Sequence, residues 1–325
     1  MSAENALLKY EGGQNAVAMA ALTDSGDATT FTTGDEFLSS RAGFEPDVRP
    51  DGVISGGVIS PAASASSDVV DVAAISAYVG GVKVTAGAST DLAVARPSTQ
   101  DHIIYSITID NAGAIAALAG TEGTAFVETR DAAGGPPYIP VGKVEVGQVR
   151  LSSQTSAVVK ASEILQVIGL HQERYDSPFF TIDYRNGEVK FNAALQKIHT
   201  GGTARAVYAS YATAIFADAS KVSAFVPSET SHSSNSTQIY GTTLASSSSS
   251  LSQASFTAYL NDGVSDPLVK LKNENLWFKF FPDRNRTNYI VEHGKLGIAR
   301  TFPAADNIQA SCTISVEEVG QDVTT

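Results

Sequence analysis

Residues 179–191 read Phe-Phe-Thr-Ile-Asp-Tyr-Arg-Asn-Gly-Glu-Val-Lys-Phe. The runs Phe179 to Tyr184 and Glu188 to Phe191 alternate in the period of a strand, and they flank Arg185-Asn186-Gly187. Asn-Gly between alternating runs is a strong hairpin signal, because both residues tolerate the positive φ that tight hairpin turns require. The pattern predicts two antiparallel strands. Past the turn residues His199-Thr200-Gly201-Gly202, the run 204–212 (ARAVYASYA) alternates again, so the region from Ala161 to about Ala214 is expected to form a β-meander of three or four strands.

The same period recurs on both sides. Upstream, His102 to Ile109 is β-branched and aromatic and stops at Asp110-Asn111, and Lys143 to Leu151 reads KVEVGQVRL. Thr124 to Thr129 is expected as a further strand, separated from Lys143 by the non-helical link Gly134-Gly135-Pro136-Pro137. Downstream, Phe256 to Leu260 and Leu268 to Leu271 surround Asn261-Asp262-Gly263, expected as a second hairpin turn. Glu274 to Phe281, Asn288 to Glu292, Gly294 to Thr301 and Ile308 to Val316 complete a sandwich-like or barrel-like C-terminal unit. Helical expectations are two: Asp68 to Tyr78 as a short amphipathic helix, and the Ala-rich Asn111 to Ala119 as a turn or two. The fold class is mainly β.

Composition divides the chain into four parts: an acidic β-rich region 1–155, the meander 156–227, a Ser-rich stretch 228–253 and the β module 254–325. The Ser-rich stretch has too little apolar surface to offset its chain entropy, and is expected as a loop, either a tether or an arm that orders against a neighbouring subunit. The net charge of −12 argues against a protein that grips nucleic acid by neutralising phosphates. No stretch approaches the roughly 20 apolar residues of a membrane span. No basic and apolar leader opens the chain, so a product made in the cytoplasm, with no membrane anchor, is the expectation. Cys312, the single cysteine, falls in an alternating run and is expected to be buried.

Chemistry leaves residues at set spacings, and those spacings are missing here. His102, His171, His199, His232 and His293 form no HExxH and no Cys–His cluster. There is no Gly-x-Ser-x-Gly, and Gly56-Gly57 and Gly80-Gly81 lack the ending of a phosphate-binding loop. The expectation is a protein without catalytic residues, metal or cofactor. The basic residues Arg284, Arg286, Lys295 and Arg300, interleaved with aromatics, together with the only tryptophan, Trp277, are instead candidate subunit-interface residues.

Residues 289–300 (YIVEHGKLGIAR), 302–310 (FPAADNIQA) and the strand CTISVEE resemble the C-terminal part of the tail tube, or major tail, proteins of long-tailed bacteriophages. The runs GEVKFNAALQ, GTARAVYASYA and GTAFVETRDAAGGPPYIPVGKVEVGQVRL are similar to β modules of virion and tail proteins. The resemblance implies a tail-tube-like β-sandwich or barrel with an additional β-rich domain. It further implies rings, hexameric in that family, stacked into a tube in the virion tail after assembly in the host cytoplasm. The partners it implies are other copies of the chain, the tape-measure protein, and the tail terminator and distal tail proteins, with DNA only in transit. The competing expectations are a receptor- or carbohydrate-binding tail protein and a virion decoration protein.

Overall fold

The protein is described here by a computed structural model covering residues 4–324. Among these the only helices are the four-residue Pro267–Lys270 and the 3-10 turn Ala161–Glu163. Nearly all other regular structure is antiparallel strand, so the mainly β reading is correct. The described residues form two compact units, one of residues 4–16, 37–46 and 211–324, the other of 17–36 and 47–210.

The larger unit is built around Ile103–Asp110, which pairs with Ile115–Ala119 on one side and Lys143–Leu151 on the other. All but the last residue of Ile103–Asp110 are buried, as expected of a strand covered on both faces. Ile107, Ile109, Val144, Val146 and Val149 are fully enclosed, and they share a core with Val70, Val72, Ile75 and Ala77 from two three-stranded sheets. A smaller core forms where Phe180–Asp183, Glu188–Phe191 and Thr30–Thr32 pair, with Phe31 packed edge-on against Phe191. The hairpin read at 179–191 is present in register, Phe180 opposite Phe191 and Asp183 opposite Glu188. Gly187 has a φ of +62°, and a Cβ there would lie 1.8 Å from the carbonyl oxygen of Asp35, so only glycine fits.

The smaller unit is built on a sheet in which Val222–Val226, Ala254–Tyr259, Gln309–Val316, Tyr289–Thr301, Asn275–Phe281, Leu7–Ala21 and Val207–Asp218 are successive neighbours, and Gln321–Val323 pairs with Tyr289–Thr301. In Gln309–Val316 every second residue (Ala310, Cys312, Ile314, Val316) is buried, and the residues between them are exposed. Burial pushes the Cys312 thiol up to about 12, which keeps it protonated.

Several local expectations are overturned. Asp68 to Tyr78 is not a helix but the strands Val69–Val72 and Ile75–Val79. Val70 and Val72 point into the core while Asp71 accepts hydrogen bonds from the Ala63 and Asp91 amides. Asn111 to Ala119 turns where Asp110 accepts the Ala112 and Ala114 amides, and then pairs as strand Ile115–Ala119; sheet pairing outweighs alanine's helix propensity. Thr124 to Thr129 is irregular, because its backbone folds against residues 133–135. Leu268 to Leu271 is helical rather than extended. Asp262 and Asp266 collect the loop amides of residues 261–265, and Pro267 opens the helical turn.

The division at 155, 227 and 253 follows composition, whereas the units follow pairing. Leu7–Tyr10 pairs with Phe278–Phe281, so an early segment of the chain is a strand of the C-terminal sheet, and residues 156–210 belong with the unit that holds most of 1–155. The Ser-rich stretch, finally, is not a loop.

Candidate assembly interface

Thr230–Ile239 and Thr242–Leu251 form a hairpin of ten registered pairs, from Thr230 opposite Leu251 to Ile239 opposite Thr242. Every residue is exposed save the half-buried Leu251. At about 3.4 Å per residue the arm is roughly 34 Å long. Serine hydroxyls bond across it, Ser231 to Ser250 at 2.8 Å and Ser233 to Ser248 at 2.7 Å. The connection is Tyr240-Gly241, and Gly241 takes the left-handed φ of +81°. The tip is the one apolar part: Tyr240 is as exposed as a residue can be, and Ile239 and Leu244 beside it are also exposed.

The arm continues a hairpin that begins inside the sheet. Val222–Val226 pairs with Ala254–Tyr259, whose Ala254, Phe256 and Ala258 lie in the core, and beyond Gln253 the same two strands leave the protein. The root is fastened on both sides. Ser228 donates through its amide and hydroxyl to the buried Glu292 carboxylate, each at 2.8 Å, and its hydroxyl accepts the Gly320 amide at 2.7 Å. On the other strand Gln253 accepts the Val316 amide at 2.6 Å. Burial raises the Glu292 pKa, against the lowering effect of the two Ser228 bonds.

Isolated two-stranded hairpins are marginally stable in water, and sheet edges are ordinarily blunted by lysine, proline or a covering element. Residues 230–251 contain no Lys, Arg, Asp, Glu or Pro. Among the described residues, no third strand pairs with either edge. The arm is thus a long ribbon with two open edges and an apolar tip.

The residues singled out from sequence are not brought together. Trp277 is buried; its indole nitrogen donates to the Leu38 carbonyl at 2.9 Å, and its ring stacks on His293 at 4.2 Å and meets Phe37 edge-on. It belongs to the interior and not to an interface. Burial lowers the His293 pKa to about 4. Arg284 bonds to the Asn5 and Ala6 carbonyls, and Arg286 pairs with Asp283, both in the turn after Phe281. Lys295 lies opposite Asn275, at the far end of that hairpin. Arg300 is five residues further along the same strand, bonded to the Gly263 carbonyl and near the Phe302 ring. Tyr289–Thr301 extends about 40 Å at strand rise, so the cations are strung along it and make no patch. The arm was missed as an element because Ser and Thr runs carry no hydrophobic period.

The larger unit holds a buried polar cluster. Glu145 accepts from Ser106 at 2.6 Å and pairs with Arg130, and its amide donates to Glu173 at 2.8 Å. Glu173 also takes His199 Nε2 at 3.0 Å, and Arg205 donates to the carbonyls of Asp51, Arg174 and Ser177. Burial raises Asp51 to about 7, although it accepts the Gly80 and Gly81 amides, and burial also raises Glu145. His199 is raised as well: burial opposes its charge, but the Glu173 carboxylate outweighs that. Beside the cluster lies a cavity of about 200 Å³ lined by Gly169, Glu173, Pro178, Ala194, Leu195 and Arg205, among others. No group of three or more His, Cys, Asp or Glu side chains among the described residues is arranged to hold a metal ion. No helix among them is long and apolar enough to cross a membrane.

Together these features define a mainly β protein of antiparallel sheets bearing one exposed arm. No family model, no curated protein and no solved structure matches the chain.

Proposed function

We propose that the chain is a structural subunit that assembles with copies of itself, and specifically a tail tube (major tail) protein of a long-tailed bacteriophage. The observation that carries this reading is the arm, a roughly 34 Å uncharged ribbon with open edges. Self-association of a chain with a net charge of −12 works against long-range repulsion, and an uncharged arm approaches another copy without adding to it. Open edges are satisfied when subunits close into rings or stack. In this reading the rings enclose the tape-measure protein and meet the terminator and distal tail proteins at the ends of the tube. The acidic character of the chain lets DNA pass without adhering.

A carbohydrate-binding protein would offer a solvent-facing aromatic platform, for which Trp277 and Tyr289 are the candidates in the C-terminal run. Trp277 is buried and Tyr289 half-buried, so that support falls away.

Negative-stain electron microscopy of the concentrated full chain, beside its sedimentation profile, tests the reading. Rings or tubes with an axial hole are expected, and are expected to be lost when residues 230–251 are replaced by a short Gly-Ser turn. A chain that stays monomeric, or closes only as a trimer, overturns it.

A further inference from the structure

We infer that residues 167–178 form a strap over the edge strand Gly52–Gly56, fastened by buried groups that hold protons, and that the strap loosens as the pH rises through the neutral range.

The strap is inverted in its burial. Val167, Ile168 and Leu170 are exposed, whereas His171, Gln172 and Glu173 are buried. Burial of apolar side chains is what ordinarily holds a segment down, and here only the half-buried Tyr175 ring, edge-on to Tyr78, contributes in that way. Polar groups do the fastening. Gln172 donates to the Val146 carbonyl at 3.1 Å, and the Glu173 carboxylate takes the Glu145 amide and His199. Arg205 donates to the carbonyls of Arg174 and Ser177 in the strap and of Asp51 beneath it. One member fits poorly. His171 Nε2 faces the Arg150 guanidinium at 3.1 Å and so accepts, which leaves a hydrogen on Nδ1, buried with no partner among the described residues.

What the strap covers is a sheet edge. Gly52–Gly56 lies at the end of a three-stranded sheet, paired on one side with Ile75–Val79. On its other side the Val53 amide donates to the Glu173 carbonyl at 2.7 Å, and the Val53 carbonyl accepts the Tyr175 amide at 3.4 Å. A Cβ on Gly52 would lie 2.5 Å from the Tyr175 nitrogen, so the strap reaches the edge only because residue 52 is glycine. A covering element of this kind keeps an edge from pairing with another chain.

The fastening depends on protons. His199 faces two acceptors, the Glu173 carboxylate at 3.0 Å from Nε2 and the Pro140 carbonyl. The imidazolium, with a hydrogen on each nitrogen, donates to both; a neutral ring turns a lone pair toward one of them. Asp51 is enclosed nearby, accepting the Gly80 amide at 2.8 Å and the Gly81 amide, with Glu173, His199, Arg205 and Tyr208 as the other groups around it. Burial raises Asp51 to about 7, and the Glu173 charge adds to that. His199 is raised although burial opposes its charge, because Glu173 outweighs burial. When the strap lifts, Glu173 leaves with it and burial lessens, so both groups return toward their ordinary values and release protons. The fastened form therefore binds more protons, and rising pH favours the loosened one. Glu145, which faces Arg130, Ser106, Gln148 and Glu173, is raised by burial and acts in the same direction. His171, lowered by burial and by Arg150, acts only on the acid side.

Amide hydrogen exchange of the full chain, read by mass spectrometry as protection factors, tests this, since protection factors divide out the direct effect of pH on the exchange reaction. From pH 6 to pH 9 the protection of residues 167–178 is expected to fall at least tenfold while Ile103–Asp110 keeps its own. Asp51→Asn is expected to flatten that fall, and His199→Gln, which has no imidazolium to lose, to leave the strap as loose at pH 6 as at pH 9. The wild-type profile needs no variant to fold. A strap that keeps its protection up to pH 9, one that loses it together with Ile103–Asp110, or variants whose pH dependence matches the wild type overturns the inference.

Discussion

Two antiparallel ladders of similar length, Ile103–Asp110 with Lys143–Leu151 and Thr230–Ile239 with Thr242–Leu251, have opposite surroundings. In the first almost every side chain is buried; in the second almost none is. Backbone hydrogen bonds exchanged with water contribute little net stability, so the two ladders differ in what their side chains touch. The first carries a core and a buried ion pair. The second carries a surface.

That contrast is open to measurement. The largest effect is expected at Arg130→Met, which leaves Glu145 buried without its counterion and costs about 3–5 kcal/mol by urea unfolding. A loss under about 1 kcal/mol would mean that the cluster is not what holds the first ladder. Ile107→Ala, at a fully enclosed position, is expected to cost about 2–5 kcal/mol, read as a lowered urea midpoint at unchanged slope.

Asp51 lies near this cluster, and its raised pKa gives the contrast a pH dependence. The fold binds a proton there that the unfolded chain releases, so its stabilising contribution is complete below the ordinary aspartate range and is lost as pH rises through about 7. Asp51→Asn is therefore expected to melt about 2–4 °C above the wild type at pH 8, with a smaller gain at pH 5. Equal gains at both pH values would remove Asp51 as the cause. The smallest effect belongs to the arm: Ser248→Ala removes one hydroxyl bond at an exposed pair and is expected to move stability by less than about 0.5 kcal/mol. A larger loss would show that the arm is part of the folding unit.

Strands with a hydrophobic period were legible from sequence, among them Lys143–Leu151, Phe180–Asp183, Glu188–Phe191 and Gln309–Val316, because each residue's surroundings are written in its neighbours two positions away. The pairing of Leu7–Tyr10 with the C-terminal sheet was not, since nothing in those residues names a partner about 270 positions away. The arm was legible as an unusual stretch but not as a strand pair. Its ordering depends on a root set by Glu292, Gly320 and Val316, all outside it. Trp277 was misread for a related reason: an aromatic in a hydrophobic run does not show which way it faces, and it turned inward to Leu38 and His293.

The arm's continuity with the sheet has a mechanical meaning. A pull applied at Tyr240-Gly241 along the arm stretches both strands equally and puts no load on the bonds between them. The force travels down two covalent chains in parallel and enters the protein where Ala254–Tyr259 lies along Gln309–Val316. There it acts lengthwise across six paired residues at once, so they must slide together and cannot be peeled apart one by one. The arm is anchored as a tendon is, with its load spread over the length of its insertion.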